Sequence, residues 1–566
     1  MFLDTYELPE AHALDADICV VGAGAAGISL ALELQDSGLD VLLLEAGGLE
    51  FEPDSQQLYD GEVADARLHS PPDRYRQRRF GGTTTIWGGR CMPLDPIDFE
   101  SRAYIPHSGW PLQYSELSAF YRRANALCEA GQFAYHVGEA FPTEPRPMIA
   151  GFSSDHFTTD TLERFSCPTD FGRRYAHKLQ ASSSVRVVLH ANVTHIQLDD
   201  AGRRVTGLRI RNQQGKHFAV KASRFVLATG GLEVPRLLLA SRDIQQSGIG
   251  NTHDLVGRYY MCHLAGTIGQ IKIDGTTANV WHGYDISPEG IYCRRRLALR
   301  PEVQREQGLA NFVARLHHPR ITDPTHQNAV LSLLYLSKFV IPYEYRKRLE
   351  EDDGDAVRRW VAHAWNVASR PHEAAGFAWH MLRDRKLAER KFPSIIVRSR
   401  ANRYGLEFHG EQFPNSASRV TLGEKTDAYG MPQIRVDWRY TAEDVDSVAR
   451  TLALLRDDFR RSGVGTFDYD PLLVETEITR YGAYGGHHIG TARMGSDPRS
   501  SVVDVDCKVH GIDNLFIASA ATFPTSSQAN PTLTIVAMTL RLAKHLRTTQ
   551  ARTFIASSFR LSAAAG

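Results

Sequence analysis

The sequence predicts an α/β chain in which a Rossmann-like nucleotide-binding domain, assembled from separated segments, is joined to an α+β domain built on an antiparallel sheet flanked by helices. Three stretches carry this expectation. Residues 17–48, "DICVVGAGAAGISLALELQDSGLDVLLLEAGG", run as a short apolar strand, a glycine turn, a helix with apolar spacing and a second apolar strand, which is a βαβ unit of about thirty residues. Residues 183–241 alternate apolar and polar side chains as strands do, then pass through "FVLATGG" into the apolar helix "LEVPRLLLAS". Residues 408–440, "FHGEQFPNSASRVTLGEKTDAYGMPQIRVDWRY", read as strands separated by turn residues, consistent with an antiparallel sheet.

In the first unit Gly22, Gly24 and Gly27 take the GxGxxG positions. The first permits the tight turn, the second lets backbone approach a pyrophosphate, and the third lets the helix lie close on the strand. Glu45, at the end of the second strand, can accept hydrogen bonds from ribose hydroxyls. The pattern fits FAD and NAD equally well.

The chain has 566 residues, with 65 Lys and Arg against 65 Asp and Glu, enough for more than one core. Zero formal charge removes the broad attraction on which nucleic acid binding relies, so nucleic acid is not an expected partner. Seven cysteines without a CxxC pair or metal-type spacing read as reduced thiols, and no metal is expected. The first seventeen residues hold five acids and no Lys or Arg, unlike a secretory signal, and the longest apolar run, "LSLLYLSKFVIPY", is interrupted by Lys338 and Pro342. A cytoplasmic protein without a transmembrane anchor is expected.

Residues 79–100, "RFGGTTTIWGGRCMPLDPIDFE", make a poor helix and a poor strand, because glycine loses too much backbone entropy and threonine competes for its own backbone. Such a loop suits pressing backbone against a ligand. A charged segment near residues 343–391, with aromatic residues interleaved at helical spacing, reads as a solvated helical excursion. In residues 485–546, "NLFIASA" is a short strand and "NPTLTIVAMTLRLAKHL" a helix, with Asn530 placed as N-cap and Pro531 as its first residue.

In combination, "VVGAGAAG", "FGGTTTIWGGRCMPLDP", "ATGGLEVPRLLLAS", "DLVGRYYMCH", "HHIGTARMG" and "ANPTLT", in that order, resemble the glucose-methanol-choline (GMC) flavoprotein oxidoreductases, in the branch of pyranose oxidases, sugar dehydrogenases and glycoside 3-oxidases. The resemblance covers most of the chain except the helical excursion. It implies FAD, held by one domain made of residues 15–100, 185–265 and 485–548, with residues 101–184 and 271–484 forming the substrate-binding domain. It also implies cofactor contacts from Gly22, Gly24, Gly27, Glu45, Ala46, Arg79, Gly81, Gly82, Thr83, Thr84, Thr85, Trp87, Gly88, Gly89, Val193, Ala228, Thr229, Gly230, Ser519, Ala520, Pro531 and Thr532. Covalent relatives carry a histidine before the tryptophan of the loop; here it is Ile86, so the FAD is expected to be non-covalent. Many relatives have an aspartate where this chain has Ser519, which puts one cofactor contact in question.

The family's catalytic pair falls on His487 and Asn530. The resemblance implies that His487 takes the hydroxyl proton of a carbohydrate-like alcohol as hydride leaves its carbon, and that an unperturbed imidazole near 6.5 would suit this at neutral pH. His488 is adjacent, and neighbours on an extended segment point to opposite sides; its spacing from Thr491 singles out His487. Alone, Asn530 reads as a helix cap; beside the histidine motif it reads as the base's partner. His263 is given no role. The electron acceptor is expected to be oxygen, a quinone or another protein. A non-sugar alcohol is the alternative substrate, and a lyase on the same fold the alternative from another class.

Overall fold

The computed structural model describes residues 1–143, 146–341, 346, 349, 356–397, 399, 401–480 and 486–564, without the side chains from 549 onward. Its largest sheet collects strands from both ends of the chain. These are β1 (Phe2–Asp4), β2 (Ala13–Val21), β3 (Val41–Leu44), β4 (Val185–Leu189), β5 (Asn192–Leu198), β6 (Val205–Arg211), β7 (His217–Leu227) and β8 (Leu515–Ile517). The order is β1-β4-β3-β2-β7-β6-β5, with β8 pairing the last three residues of β7. Strands β1, β4, β3, β2, β7 and β8 are mutually parallel, and the β5-β6-β7 meander is antiparallel. Buried on both faces, the parallel strands read as unbroken apolar runs such as Val41–Leu44.

Helix α1 (Ala25–Leu34) follows β2, and α2 (Gly230–Ala240) follows β7. The residue at the tip of the first turn, Gly22, has φ +100°, and a Cβ there would lie 2.7 Å from the Ala228 carbonyl oxygen. Only glycine lets the two turns meet.

A second apolar core surrounds a six-stranded antiparallel sheet, in the order Gly465–Asp468, His263–Ile273, Arg403–Glu411, Phe312–His317, Leu297–Leu299, Phe157–Thr158. The stretch expected to form one antiparallel sheet divides. Arg403–Glu411 joins this sheet, whereas Arg419–Thr426 pairs antiparallel with Pro432–Asp437, which in turn pairs in parallel with Gly61–Val63. The break falls at "QFPNSAS", where Pro414 and the turn at Asn415 to Ser418 end the ladder.

Part of the helical excursion, residues 342–345, 347–348 and 350–355, lies outside the described residues. Beyond it stand α3 (Ala356–Ser369) and α4 (Pro371–Met381). The last helix, α5 (Thr532–Ala564), packs against α1 and the helix Tyr114–Leu127. Its first intrahelical acceptor is the carbonyl of Pro531, bonded by Ile535 N at 2.8 Å. Asn530 therefore precedes the cap position that the sequence suggested for it, and its side chain is turned elsewhere.

Candidate active site

A single cavity of about 1030 Å³ runs from the β2–α1 turn, past the 82–89 loop, to the segment around His487, at the upper end of the range for small-molecule sites. The loop's composition now has a local cause. Gly82–Thr85 form a 3-10 turn in which Thr84 and Thr85 return their hydroxyls to the carbonyls of Gly81 and Gly82 at 2.6 and 2.9 Å. Gly81 N donates to Ala23 O at 2.9 Å, and a Cβ on Gly82 would lie 2.9 Å from Gly24 Cα. The two glycine loops are thus in direct contact, with backbone facing the cavity between them. Trp87 is fixed from behind by its indole N–H, which donates to Thr169 O at 2.9 Å.

Of the residues singled out in the sequence, Gly22, Gly24, Glu45, Ala46, Gly82, Thr83, Thr84, Thr85, Trp87, Gly88, Gly89, Val193, Ala228, Thr229, Gly230, Ser519, Ala520, Pro531, Thr532, His487 and Asn530 border the cavity. Three stand behind its wall. Gly27 packs against the turn, where a Cβ would lie 1.9 Å from Gly22 O, and Gly81 tethers the loop. Arg79 faces outward, donating to Leu49 O and Glu50; its neighbour Arg78 takes the cavity side and donates to Asn192 Oδ1 at 3.0 Å. Ser519 spends its hydroxyl as a cap, accepting from Ala521 N at 3.1 Å.

These residues fit FAD. Helix α1 begins at Gly24 with no side-chain cap, so its first-turn N–H groups are open to a pyrophosphate. The Thr229 hydroxyl is buried on the cavity wall with no partner among the described residues. Glu45 is buried and accepts Ala23 N at 2.9 Å and Gly47 N at 3.0 Å; burial raises its pKa while those amides oppose the rise. Further along, Glu233 ties Arg76 at 3.1 Å and Arg236 at 3.2 Å, and Arg236 reaches Asp427 at 2.6 Å. No local sequence signal marked this group, because it is assembled from three distant segments.

At the other end, Asn530 Nδ2 lies 3.0 Å from His487 Nε2. Both are held by neighbours. Ile489 pairs with Met261 in both directions at 2.9 and 3.1 Å, and Gly490 N donates to Ala520 O at 3.1 Å. On the other side, Ser527 donates to buried Asp98 at 2.6 Å, and Gln528 donates to Asp95 at 3.0 Å. The "PLDPID" run after the glycine loop therefore anchors the turn that carries Asn530. Burial, with Glu411 and Asp95 nearby, raises the Asp98 carboxyl to about 7.

His487 is lowered to about 4 by burial and by the Arg90 guanidinium, below the ordinary value expected from sequence. At neutral pH its ring is uncharged. His488 turns away, its ring 6.1 Å from that of Tyr260 and 6.2 Å from that of His69. His263, to which no motif assigns a role, has its ring 4.8 Å from that of His487 and 6.0 Å from that of His409, on the cavity wall. Its signal was invisible because a lone histidine in a strand specifies no partner.

Residues 17–327 match the FAD-dependent oxidoreductase family and residues 414–539 the GMC oxidoreductase family. The large subunit of fructose dehydrogenase from Gluconobacter japonicus is 27% identical, over 94% of this chain and 97% of its own. The 6'''-hydroxyparomomycin C oxidase of Streptomyces lividus is 24% identical, over 94% and 92%. An FAD-dependent oxidoreductase from Chaetomium thermophilum has a similar fold, with a TM-score of 0.54 at 15% identity, covering 95% of this chain and 100% of its own. With the glycine turn, the loop against it and the C-terminal segment all bordering one cavity, the chain belongs to the FAD-dependent oxidoreductases and carries the GMC oxidoreductase C-terminal domain over residues 414–539.

Proposed function

We propose that this enzyme oxidises a hydroxyl of a carbohydrate, glycoside or related polyol to a ketone or aldehyde, with His487 as base and Asn530 as partner of the same oxygen. The observation that carries this reading is the 3.0 Å contact between Asn530 Nδ2 and His487 Nε2 on the cavity wall. A hydroxyl that displaces this contact finds a neutral imidazole to accept its proton and an amide N–H to fix its oxygen. When bound, the flavin ring supplies the hydride acceptor. The N-terminus of α5, directly after Asn530, favours negative charge at this end of the cavity.

Residues 15–100, 185–265 and 485–548 act as the FAD-holding unit, with residues 101–184 and 271–484 on the substrate side. Ile86 on the cavity wall offers no nucleophile, which supports non-covalent FAD. The seven free cysteines suit a reducing compartment and support a cytoplasmic location. Oxygen, a quinone or another protein takes the electrons. The test is an anaerobic screen of sugars, glycosides, aminoglycosides and simple alcohols for bleaching of the flavin. Bleaching by a polyol is expected. Bleaching only by non-sugar alcohols would move the substrate class, and turnover of a substrate without bleaching would indicate a lyase.

A further inference from the structure

The wall beyond His487 is unusually polar for a buried surface. Both ring nitrogens of His263, Nδ1 of His409, the Tyr284 hydroxyl and Nε of Arg294 are buried on or beside the cavity with no hydrogen-bond partner among the described residues. Each is a desolvation cost that a polar ligand relieves. Neutral histidines offer one donor and one acceptor apiece, as hydroxyl groups do. A polyol matches this wall and an apolar alcohol does not.

The charges there are also unequal. Arg90, Arg294, Arg385, Lys386 and Lys391 border the cavity on this side, against Glu407 as the one carboxylate among the described residues there. Arg90 is 3.7 Å from Glu163, which also holds buried Arg315, so one carboxylate is shared by two guanidinium groups. Arg294 stands 3.5 Å from Glu407. An aromatic box links these cations: Tyr284 lies 5.2 Å from both Phe165 and Phe392, Arg90 sits over Phe165 and Arg294 over Tyr284, and Arg385 donates to Pro393 O at 3.2 Å. Lys386 and Lys391 are exposed at the cavity's edge.

We propose that the substrate is an anionic polyol, an aldonate, uronate or sugar phosphate, whose negative group lies between Arg90 and Arg294 while its reacting hydroxyl meets His487. This rests on the alcohol-oxidation reading and narrows it. Burial first, and these cations after it, depress the neighbouring histidines: Arg90 acts on His487, and Arg315 and Arg90 act on His263 and His409. A positive field of that sign repels the ammonium groups of an aminoglycoside and draws an anion in.

The test compares glucose, gluconate, glucuronate, glucose 6-phosphate and glucosamine on the holoenzyme, by anaerobic flavin reduction and by calorimetric binding. Half-saturation for at least one anionic sugar should lie about tenfold or more below that for glucose, with the gap narrowing as salt rises. The carboxylates and the phosphate separate the two sources of charge. Exchanging both exposed lysines, Lys386→Glu with Lys391→Glu, should narrow the gap further. Equal half-saturation for neutral and anionic sugars, or preference for glucosamine, would overturn the proposal. Anionic binding without bleaching would refute the redox reading alone, and no anionic binding would refute this one.

A second observation concerns the outer side of the helical excursion, whose cations Arg385, Lys386 and Lys391 also border the cavity. Helix α3 is inside out. Its buried residues are His363, bonded to Ser332 Oγ at 2.9 Å, and Asn366, which donates to Pro324 O at 2.9 Å. Val357, Trp360, Val361 and Trp365 recur at helical spacing on its outer side, 44–77% exposed. Trp379, Leu382 and Leu387 extend the exposed apolar surface. Residues 356–391 hold eight Lys and Arg against three Asp and Glu, in a chain of zero net charge. Tryptophan with flanking cations is the composition of a helix lying in a membrane interface.

We infer that this face binds an anionic lipid surface. Holoenzyme should sediment with phosphatidylglycerol vesicles, less with phosphatidylcholine vesicles, and be released by salt; Trp360→Ser with Trp365→Ser should abolish it. Failure to sediment with anionic vesicles would overturn the inference. So would an oligomer that the same double variant dissociates, which would assign the face to a second copy of the chain.

Discussion

If His487 is the base, as proposed, replacing Arg90 with glutamine should move the pH at which that base is lost. His487 is held at about 4, first by burial and then by Arg90. A lowered pKa leaves the imidazole neutral at every pH above that value. At pH 5 an ordinary histidine of pKa 6.5 would be neutral in only about 3% of molecules, whereas one at about 4 is neutral in about 90%, a difference of about 30-fold. The assay is stopped-flow anaerobic flavin reduction at low substrate, where the second-order rate constant follows the free enzyme, with flavin fluorescence checking that FAD stays bound. The parent enzyme should hold its rate down to about pH 5 and halve it near 4. Arg90→Gln removes the second cause and raises the midpoint without reaching 6.5, since burial remains; Arg90→Lys should restore it. An acid limb at 6.5 in the parent, or an unmoved midpoint in Arg90→Gln, would refute the reasoning.

His487→Ala should retain FAD and slow anaerobic reduction by about 10²- to 10⁴-fold, Asn530→Ala less and His488→Ala least; a crippled His488→Ala beside a parent-like His487→Ala would reverse the assignment. Acid precipitation should leave yellow FAD in the supernatant, given Ile86 in the loop, and a yellow pellet would contradict that. Folding stability should fall as pH drops below about 6.5, because His487 and His69 are held at about 4, and His263, His409 and His488 well below their ordinary value, and these five outnumber the carboxyls of Asp98, Asp444 and Asp285, which are raised and act with the opposite sign. The unfolded chain takes up protons that the folded one refuses, giving a slope of up to about 1.4 kcal/mol per pH unit for each histidine. A melting temperature that stays flat from pH 7 to 5 would rule this out.

Locally encoded features were legible in the sequence. The β2–α1–β3 unit shows itself within one window, because strand, glycine turn and helix each leave a periodic trace. The glycine and threonine loop announced a backbone contact, and His487 with Asn530 stood out through their flanking motifs. What escaped was everything made by distant segments meeting. Phe2–Asp4 is too short to signal a strand, yet it pairs with Val187–Leu189. Arg78 rather than Arg79 faces the cavity, a choice set by which way one loop residue points. The polarity of α3 could be counted as amphipathic, but the sequence does not say which face meets the protein.

Because β8 closes against the end of β7, and the cavity wall takes Gly22 from the start of the chain and Thr532 from near its finish, vectorial synthesis matters to cofactor loading. A nascent polypeptide on the ribosome exposes the glycine turn long before the residues that complete the pocket have been made. The cavity wall is therefore complete only once the segment around Thr532 has been made and has folded back.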